Sequence, residues 1–166
     1  MDLITLDFET YYNKEYSLKK FTTEEYVRDP RFEVLGVAVK VNNGKTEWAS
    51  GTQEQLKTFL QTFDWGNAMA LAHNTMFDGA ILSWVFDIKP RAYTDTVCIA
   101  RAVNGVEESV SLKALSEKYE VGEKGDEIEN TLNKHRQDFT DEELGRLGDY
   151  AVNDVDLTYD LFTIMA

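Results

Sequence analysis

The stretch LITLDFET, residues 3–10, alternates in polarity and is rich in aliphatic and aromatic side chains. This pattern predicts a β-strand over residues 3–8. In a strand, Asp7 and Glu9 lie on one face and Phe8 points to the other. Two carboxylates at the end of an apolar strand are unfavourable if they are buried and unpaired. They are either solvated acids at a strand end or ligands of a cation, and the pair alone does not decide between the two.

Strand and helix patterns alternate along the rest of the chain. Further strands are predicted at residues 33–41, 46–49 and 68–72, and a turn at Asn43 and Gly44 joins the first two into a hairpin. Helices are predicted at residues 53–63, 77–85, 96–103 and 111–119. A capping box at Thr140 and Glu143 starts a long final helix. Early strands with interleaved helices predict an α/β fold with a mixed sheet.

The two remaining stretches are polar. Residues 10–31 carry several tyrosines and a turn signal at Asp29-Pro30, and residues 121–139 are charged and only weakly periodic, which indicates a surface connection. The single cysteine, Cys98, excludes an internal disulfide and is expected to be a buried thiol.

Length and charge limit the possible functions. A chain of 166 residues is long enough for one domain, so a single domain is predicted over residues 1–166. No segment approaches the roughly 20 apolar residues of a membrane span, and the N-terminus lacks signal-peptide features, so a cytoplasmic protein without a membrane partner is expected. The net charge of −13 argues against broad DNA binding through basic residues. Phosphate could still be bound through metal ions held by clustered carboxylates.

Two more motifs carry such carboxylates. In HNTMFD, residues 73–78, an apolar strand ends and Asp78 falls on the first turn of a helix, where it could cap the helix or bind a hard cation. In DYAVND, residues 149–154, Tyr150 and Asp154 are four positions apart on one helix face and about 6 Å apart along its axis. Asp149 lies on a different face and is expected at the helix surface.

Taken together, Asp7, Glu9, Asp78 and Asp154 form the oxygen-only set that a two-metal phosphoryl-transfer site requires. The motifs LDFET, HNTMFD and YAVND, in this order, resemble those of the DEDD 3′→5′ exonucleases in their tyrosine-bearing branch. The segments between the motifs are similar to the proofreading exonuclease domain of family A DNA polymerases, particularly the phage-type enzymes. The resemblance covers nearly the whole chain and implies an RNase H-like, three-layer fold with helices on both faces of a mixed sheet.

The resemblance also implies a role for each matching residue. Asp7, Glu9 and Asp154 would coordinate one of two divalent ions, Mg²⁺ or Mn²⁺. Asp7 would also bridge to the second ion, and Asp78 would complete the site. Tyr150 would hydrogen-bond the attacking water, because a phenol with an ordinary pKa near 10 is a poor base at neutral pH. Three further positions would line the site of the terminal nucleotide: Thr10, Asn74 and Phe77.

The implied function is two-metal-ion 3′→5′ hydrolysis of single-stranded or frayed DNA ends, which releases nucleoside monophosphates during proofreading. A monomer is expected in a bacterial or phage-infected cell, with a covalently linked polymerase domain as a partner. Two alternatives stay open: an RNase D-like exoribonuclease, and a catalytically idle module that binds nucleic acid or protein. The chain departs from its relatives where they often have Gly-Lys-Arg, and the role of the corresponding residues is open: Asn133, Lys134, His135 and Arg136.

Overall fold

The computed structural model describes residues 1–126 and 130–166, and its centre is a mixed sheet. The strands in this part of the chain are β1 (Asp2–Thr10), β2 (Val34–Val41), β3 (Glu47–Ser50), β4 (Ala68–Ala72) and β5 (Ala92–Asp95). Their order is β3-β2-β1-β4-β5, with β1 antiparallel to β2 and parallel to β4. The predicted α/β fold with a mixed sheet is confirmed, and β1 occupies the central position.

Six α-helices accompany the sheet in the described ranges. They are α1 (Thr23–Arg28), α2 (Gln53–Leu60), α3 (Thr75–Ala80), α4 (Thr96–Asn104), α5 (Leu112–Tyr119) and α6 (Asp141–Met165). Helix α3 continues into a π-helical turn, Ile81–Val85. The capping box predicted at Thr140 and Glu143 is present and starts α6. This single 25-residue helix packs against β1, β2 and β3, and through Leu157 and Leu161 against α4 and α5.

The alternation along β1 separates two layers. Ile4, Leu6 and Phe8 are buried in the main core, which also contains Leu56 and Leu60 of α2. The odd-numbered residues of β1 face the other side, where α6 packs against β1 and β2. Because side chains alternate across a strand, the face that carries Asp7 and Glu9 is the one covered by α6. The result is the predicted three-layer arrangement, with helices on both faces of the sheet.

The structure differs from the sequence prediction in several places. Helix α1 and strand β5 were not predicted, and α2 ends at Leu60 rather than at residue 63. The expected burial of Cys98 is wrong, because this residue lies on the outer side of α4 while Thr96 and Ala100 face inward. Of the predicted surface connection, residues 127–129 lie outside the described part of the chain. Within the described ranges, no helix is long and apolar enough to cross a membrane.

Candidate active site

Three carboxylates meet between β1 and α6. Ligand oxygens of Asp7, Glu9 and Asp154 all lie within 4.8 Å of one another. Asp7 and Glu9 are brought together by the two-residue repeat of the strand. A register shift in the β1–β2 ladder falls between Glu9 and Thr10, and such irregularities often re-aim side chains beside functional sites. Asp154 approaches from the middle of α6, so residues separated by almost the whole chain form one cluster.

Asp78 is hydrogen-bonded to the backbone of β1. Its Oδ1 accepts a hydrogen bond of 2.9 Å from the backbone N–H of Phe8, and the side chain is buried. The start of α3 is fixed by Asp95 of β5, whose carboxylate accepts from the backbone N–H groups of Asn74 (2.9 Å) and Thr75 (3.0 Å). The helix start that carries Asp78 is therefore held by the neighbouring strand, and Asp78 is bonded to the backbone of Phe8, the residue between Asp7 and Glu9.

Burial shifts the pKa of every carboxyl in this group upward, and repulsion between carboxylates adds to the shift at Asp7, Glu9 and Asp78. Burial raises the pKa of Asp7 to about 7, a rise that contact with Glu9 opposes and the charge of Asp154 reinforces. The pKa values of Glu9 and Asp78 are raised well above their ordinary range by burial and by the charge of Asp7. Burial also raises the pKa of Asp154, although Lys124 opposes the shift. Such a cluster is unstable in its ionised form unless a cation compensates it.

A lysine that the sequence analysis did not single out lies at the edge of the cluster. Lys124 Nζ donates to both carboxylate oxygens of Asp154, at 2.8 and 2.9 Å, and to the hydroxyl of Tyr150 at 2.6 Å. Burial lowers the pKa of Lys124, but the hydrogen bonds to Asp154 and Tyr150 outweigh it and the pKa is raised. Burial raises the pKa of Tyr150 as well, so its hydroxyl stays protonated at neutral pH.

The cluster opens into a cleft of about 480 Å³. Its lining includes all three clustered acids, Tyr150, Lys124, Thr10 and Phe77. The loop after β1 forms part of the wall, with the exposed side chains of Tyr12, Leu18 and Lys19. The cleft therefore combines an acidic floor with an apolar and partly basic rim.

The remaining predicted residues differ in their relation to this cleft. Thr10 Oγ1 shares a hydrogen bond of 2.9 Å with the hydroxyl of Tyr26. Phe77 contributes to the wall and packs against the main core. Asn74 is exposed at the start of α3 with a left-handed backbone (φ 76°), and it is not part of the described cleft lining. Asp149 is exposed on α6, as predicted.

Residues 133–136 dock beside the end of β1. The side-chain oxygen of Asn133 accepts a hydrogen bond of 2.7 Å from the hydroxyl of Tyr11. Lys134 Nζ lies 2.6 Å from a carboxylate oxygen of Glu143, at the start of α6. These contacts join the approach to α6 to the loop after β1, so the segment braces the elements on which the acids are mounted.

The donor set is suited to a divalent cation. It offers only oxygen atoms, which Mg²⁺ and Mn²⁺ prefer. Within the described part of the chain, Asp7 Oδ2 is buried and has no hydrogen-bond partner. A buried carboxylate oxygen without a donor calls for a cation, and this atom belongs to the residue at the centre of the acidic group.

The order of the strands and the position of the acids define an RNase H-like nuclease. A sequence model of the family described as 3′-5′ exonuclease matches residues 3–166, and the chain belongs to this family. It is therefore a metal-dependent nuclease of the DEDD type, as the sequence motifs predicted. No curated protein sequence matches the chain.

Solved structures share the fold at low sequence identity. Brucella melitensis NrnC bound to pGG superposes with a TM-score of 0.69 and 14% identity, over 98% of this chain and 71% of NrnC. NrnC with bound Mg²⁺ gives 0.69 and 15%, over 99% of this chain and 72% of NrnC. Escherichia coli RNase D, an exoribonuclease involved in structured RNA processing, gives 0.61 and 18%, over 98% of this chain and 38% of RNase D.

Proposed function

We propose that this protein hydrolyses the 3′-terminal phosphodiester bond of DNA with two divalent ions, Mg²⁺ or Mn²⁺, and releases nucleoside monophosphates. The observation that carries the proposal is the meeting of Asp7, Glu9 and Asp154 within 4.8 Å, at the floor of a cleft that Tyr150 also lines. Carboxylates arranged around a shared point, with a polar hydroxyl beside them, match the needs of metal-assisted phosphoryl transfer.

The proposed roles follow from the placement of the side chains. Asp7, Glu9 and Asp154 would hold one ion, and Asp78 behind them would contribute with Asp7 to a second. Divalent ions in such sites attract phosphate, make water more acidic and stabilise the charge that develops in the transition state. Tyr150, which keeps its proton at neutral pH, would hold the attacking water through its hydroxyl.

The shape of the cleft supports a strand end as the substrate. A volume of about 480 Å³ falls within the range of small-molecule pockets, so it would admit a terminal nucleotide rather than a duplex. Phe77 and Tyr12 offer aromatic surface for a base, and Lys19 offers a positive charge for phosphate. Single-stranded or frayed ends would fit these contacts, and Thr10, which lines the cleft, would lie near the entering nucleotide.

Weak affinity for isolated DNA is part of the proposal. A net charge of −13 opposes the approach of a polyanion, and few basic side chains line the cleft. A polymerase domain in the same chain or in a partner would supply the missing affinity, which would place the activity in proofreading. Tight, salt-resistant binding of single-stranded DNA by residues 1–166 alone would contradict this part.

An RNA substrate is the second candidate, and the structural likeness to E. coli RNase D is the observation that favours it. A site specific for RNA has to recognise the 2′-hydroxyl. Among the described cleft residues, polar side chains such as Thr10 and Ser17 could serve that purpose. An activity assay on DNA and RNA of the same sequence therefore distinguishes the two substrates.

The test uses 5′-labelled single-stranded DNA and an RNA of the same sequence, each with Mg²⁺, with Mn²⁺ and with EDTA. We expect a ladder of 3′-shortened DNA that EDTA abolishes and that Asp154→Ala abolishes. Asp149→Ala is the matched control, because it removes an exposed aspartate from the same helix and should leave the ladder unchanged. Shortening of RNA alone would assign the enzyme to RNA, and no shortening of either strand would refute the nuclease proposal.

A further inference from the structure

Lys124 is bound more completely than an ordinary surface lysine. An ammonium group has three N–H donors, and here two reach the oxygens of Asp154 and one reaches the hydroxyl of Tyr150. Its Nζ also lies 4.0 Å from the centre of the Tyr150 ring. The side chains of Lys124 and Asp154 are only 20% and 12% exposed, so the contact is largely shielded from water. The ammonium thus joins the two residues of α6 that the proposed mechanism uses.

The backbone on each side of Lys124 is docked against α6. The carbonyl of Glu123 accepts a hydrogen bond of 2.9 Å from the side-chain amide of Asn153. Gly125 lies against the ring of Tyr150, where a Cβ would come within 3.4 Å of Tyr150 Cδ2. The backbone of Lys124 is therefore fixed against α6, while the four-carbon side chain still allows the ammonium group to change position.

Lys124 and a divalent ion would compete for the carboxylate of Asp154. Both oxygens of this carboxylate are engaged by Lys124, yet Asp154 is one of the three acids whose oxygens lie within 4.8 Å of one another. An ion bound by all three acids would lie close to the ammonium, and repulsion between the two cations would weaken the hold of Lys124 on Asp154. The hydroxyl of Tyr150 is outside the acidic triplet, so its bond to Lys124 can persist after the ion binds.

We propose that Lys124 is a positioning residue of the hydrolytic site: it neutralises Asp154 before the divalent ion binds, yields that carboxylate to the ion, and continues to orient the Tyr150 hydroxyl. This inference rests on the proposed function. It assigns to Lys124 two effects of opposite sign, since the lysine competes with the ion for Asp154 but assists the reaction through Tyr150. A lysine with a merely structural role would not produce that combination.

The first measurement is calorimetric titration of the metal-free protein with Mn²⁺, without substrate. Lys124→Met removes the charge and keeps the length of the side chain, and we expect Mn²⁺ to bind about tenfold more tightly, a factor in the range of a partly buried charge contact. Lys124→Arg should retain an affinity near that of the wild type. Lys118→Met is the matched control, because Lys118 pairs with Glu108 on the surface and should not affect Mn²⁺ binding.

The second measurement is turnover of a labelled strand at saturating Mn²⁺. We expect Lys124→Met to lower kcat about 10- to 100-fold with little change in KM, as for the loss of a group that orients a reactant. Adding Tyr150→Phe to Lys124→Met should lower kcat little further, because the lysine acts through the tyrosine. Circular dichroism of each variant with Mn²⁺ confirms that it is folded before it is compared.

Three outcomes would overturn the inference. Unchanged or weaker Mn²⁺ binding by Lys124→Met would remove the competition, and fully additive losses in the double variant would remove the link to Tyr150. In both cases the nuclease proposal survives if the wild type binds Mn²⁺ and shortens its substrate. If neither the wild type nor the variants bind Mn²⁺, the proposed metal site is refuted, and the proposed role of Lys124 is refuted with it.

Discussion

Replacing Asp7 with asparagine should stabilise the metal-free protein at pH 8, although the substitution removes a proposed catalytic group. Burial raises the pKa of Asp7 from its ordinary 3.8 to about 7. In the unfolded chain the carboxyl loses its proton near pH 4, while in the folded protein it retains the proton up to about pH 7. The folded state therefore binds more protons between these values, and the free energy of unfolding falls as the pH rises through this interval.

The size of the effect follows from the two pKa values. Each pH unit in that interval lowers the free energy of unfolding by about 1.4 kcal/mol, so the two units from pH 5 to pH 7 remove about 3 kcal/mol. Above pH 7 both states are ionised and the loss levels off. Asparagine cannot ionise, so Asp7→Asn lacks this contribution, and the change also relieves Glu9 and Asp78, whose pKa values the charge of Asp7 raises.

The assay is urea denaturation of both proteins in EDTA at pH 5, 6, 7 and 8. The informative quantity is the difference between the two unfolding free energies at each pH, because it cancels groups with opposite behaviour such as His73, whose pKa burial lowers. We expect the difference to grow by about 3 kcal/mol in favour of Asp7→Asn between pH 5 and pH 8. Saturating Mg²⁺ should reverse it by stabilising the wild type alone. A difference that does not change with pH would refute the argument that the ionised Asp7 carboxyl destabilises the folded protein.

Three further results are expected. Tyr150→Phe should lower kcat about 10- to 100-fold while calorimetry shows unchanged Mn²⁺ affinity, and unchanged turnover would mean that the tyrosine only packs. Gly148→Ala should reduce the free energy of unfolding by about 1–3 kcal/mol, because the new Cβ would lie 2.5 Å from Trp48 Cδ1. Gly145→Ala is the control on the same helix, and because the space around it is open it should be neutral or up to about 1 kcal/mol stabilising. Thermal melts of both variants measure the difference. Lys19→Ser should raise KM severalfold and flatten the salt dependence of strand binding without lowering kcat, whereas an unchanged KM would remove Lys19 from the path of the strand.

The parts of the fold that were predictable are those encoded by local patterns. The two-residue repeat of β1 placed Asp7 and Glu9 on one face, and the capping box at Thr140 set the start of α6, which fixed the positions of Tyr150 and Asp154 within it. In each case the signal lies within a few residues of the feature it predicts. The order of the three motifs along the chain then predicted that β1, the start of α3 and α6 contribute to one site.

The parts that were missed depend on contacts between distant segments. Strand β5, Ala92–Asp95, is short and mostly polar, and it is a strand because β4 provides its partner. Helix α1 has a capping box at Thr22, but its six residues show too little periodicity to be recognised. Lys124 lies in a glycine-containing, charged stretch that resembles any surface connection. Only the docking of that stretch on α6 reveals that its charge is directed into the site.

The position of Lys124 also bears on how so acidic a chain can maintain this site. Four neighbouring carboxyls have raised pKa values, and an uncompensated group of this kind would favour protonation or opening of the site at neutral pH. A lysine supplied by the chain provides one positive charge, and a divalent ion provides two. Exchange of the first for the second is favourable because Asp7 and Glu9 still lack a cation when only Asp154 is neutralised. The same acidity that disfavours contact with nucleic acid elsewhere on the surface would thus make the cleft a site for metal under the proposed function, and through metal for phosphate.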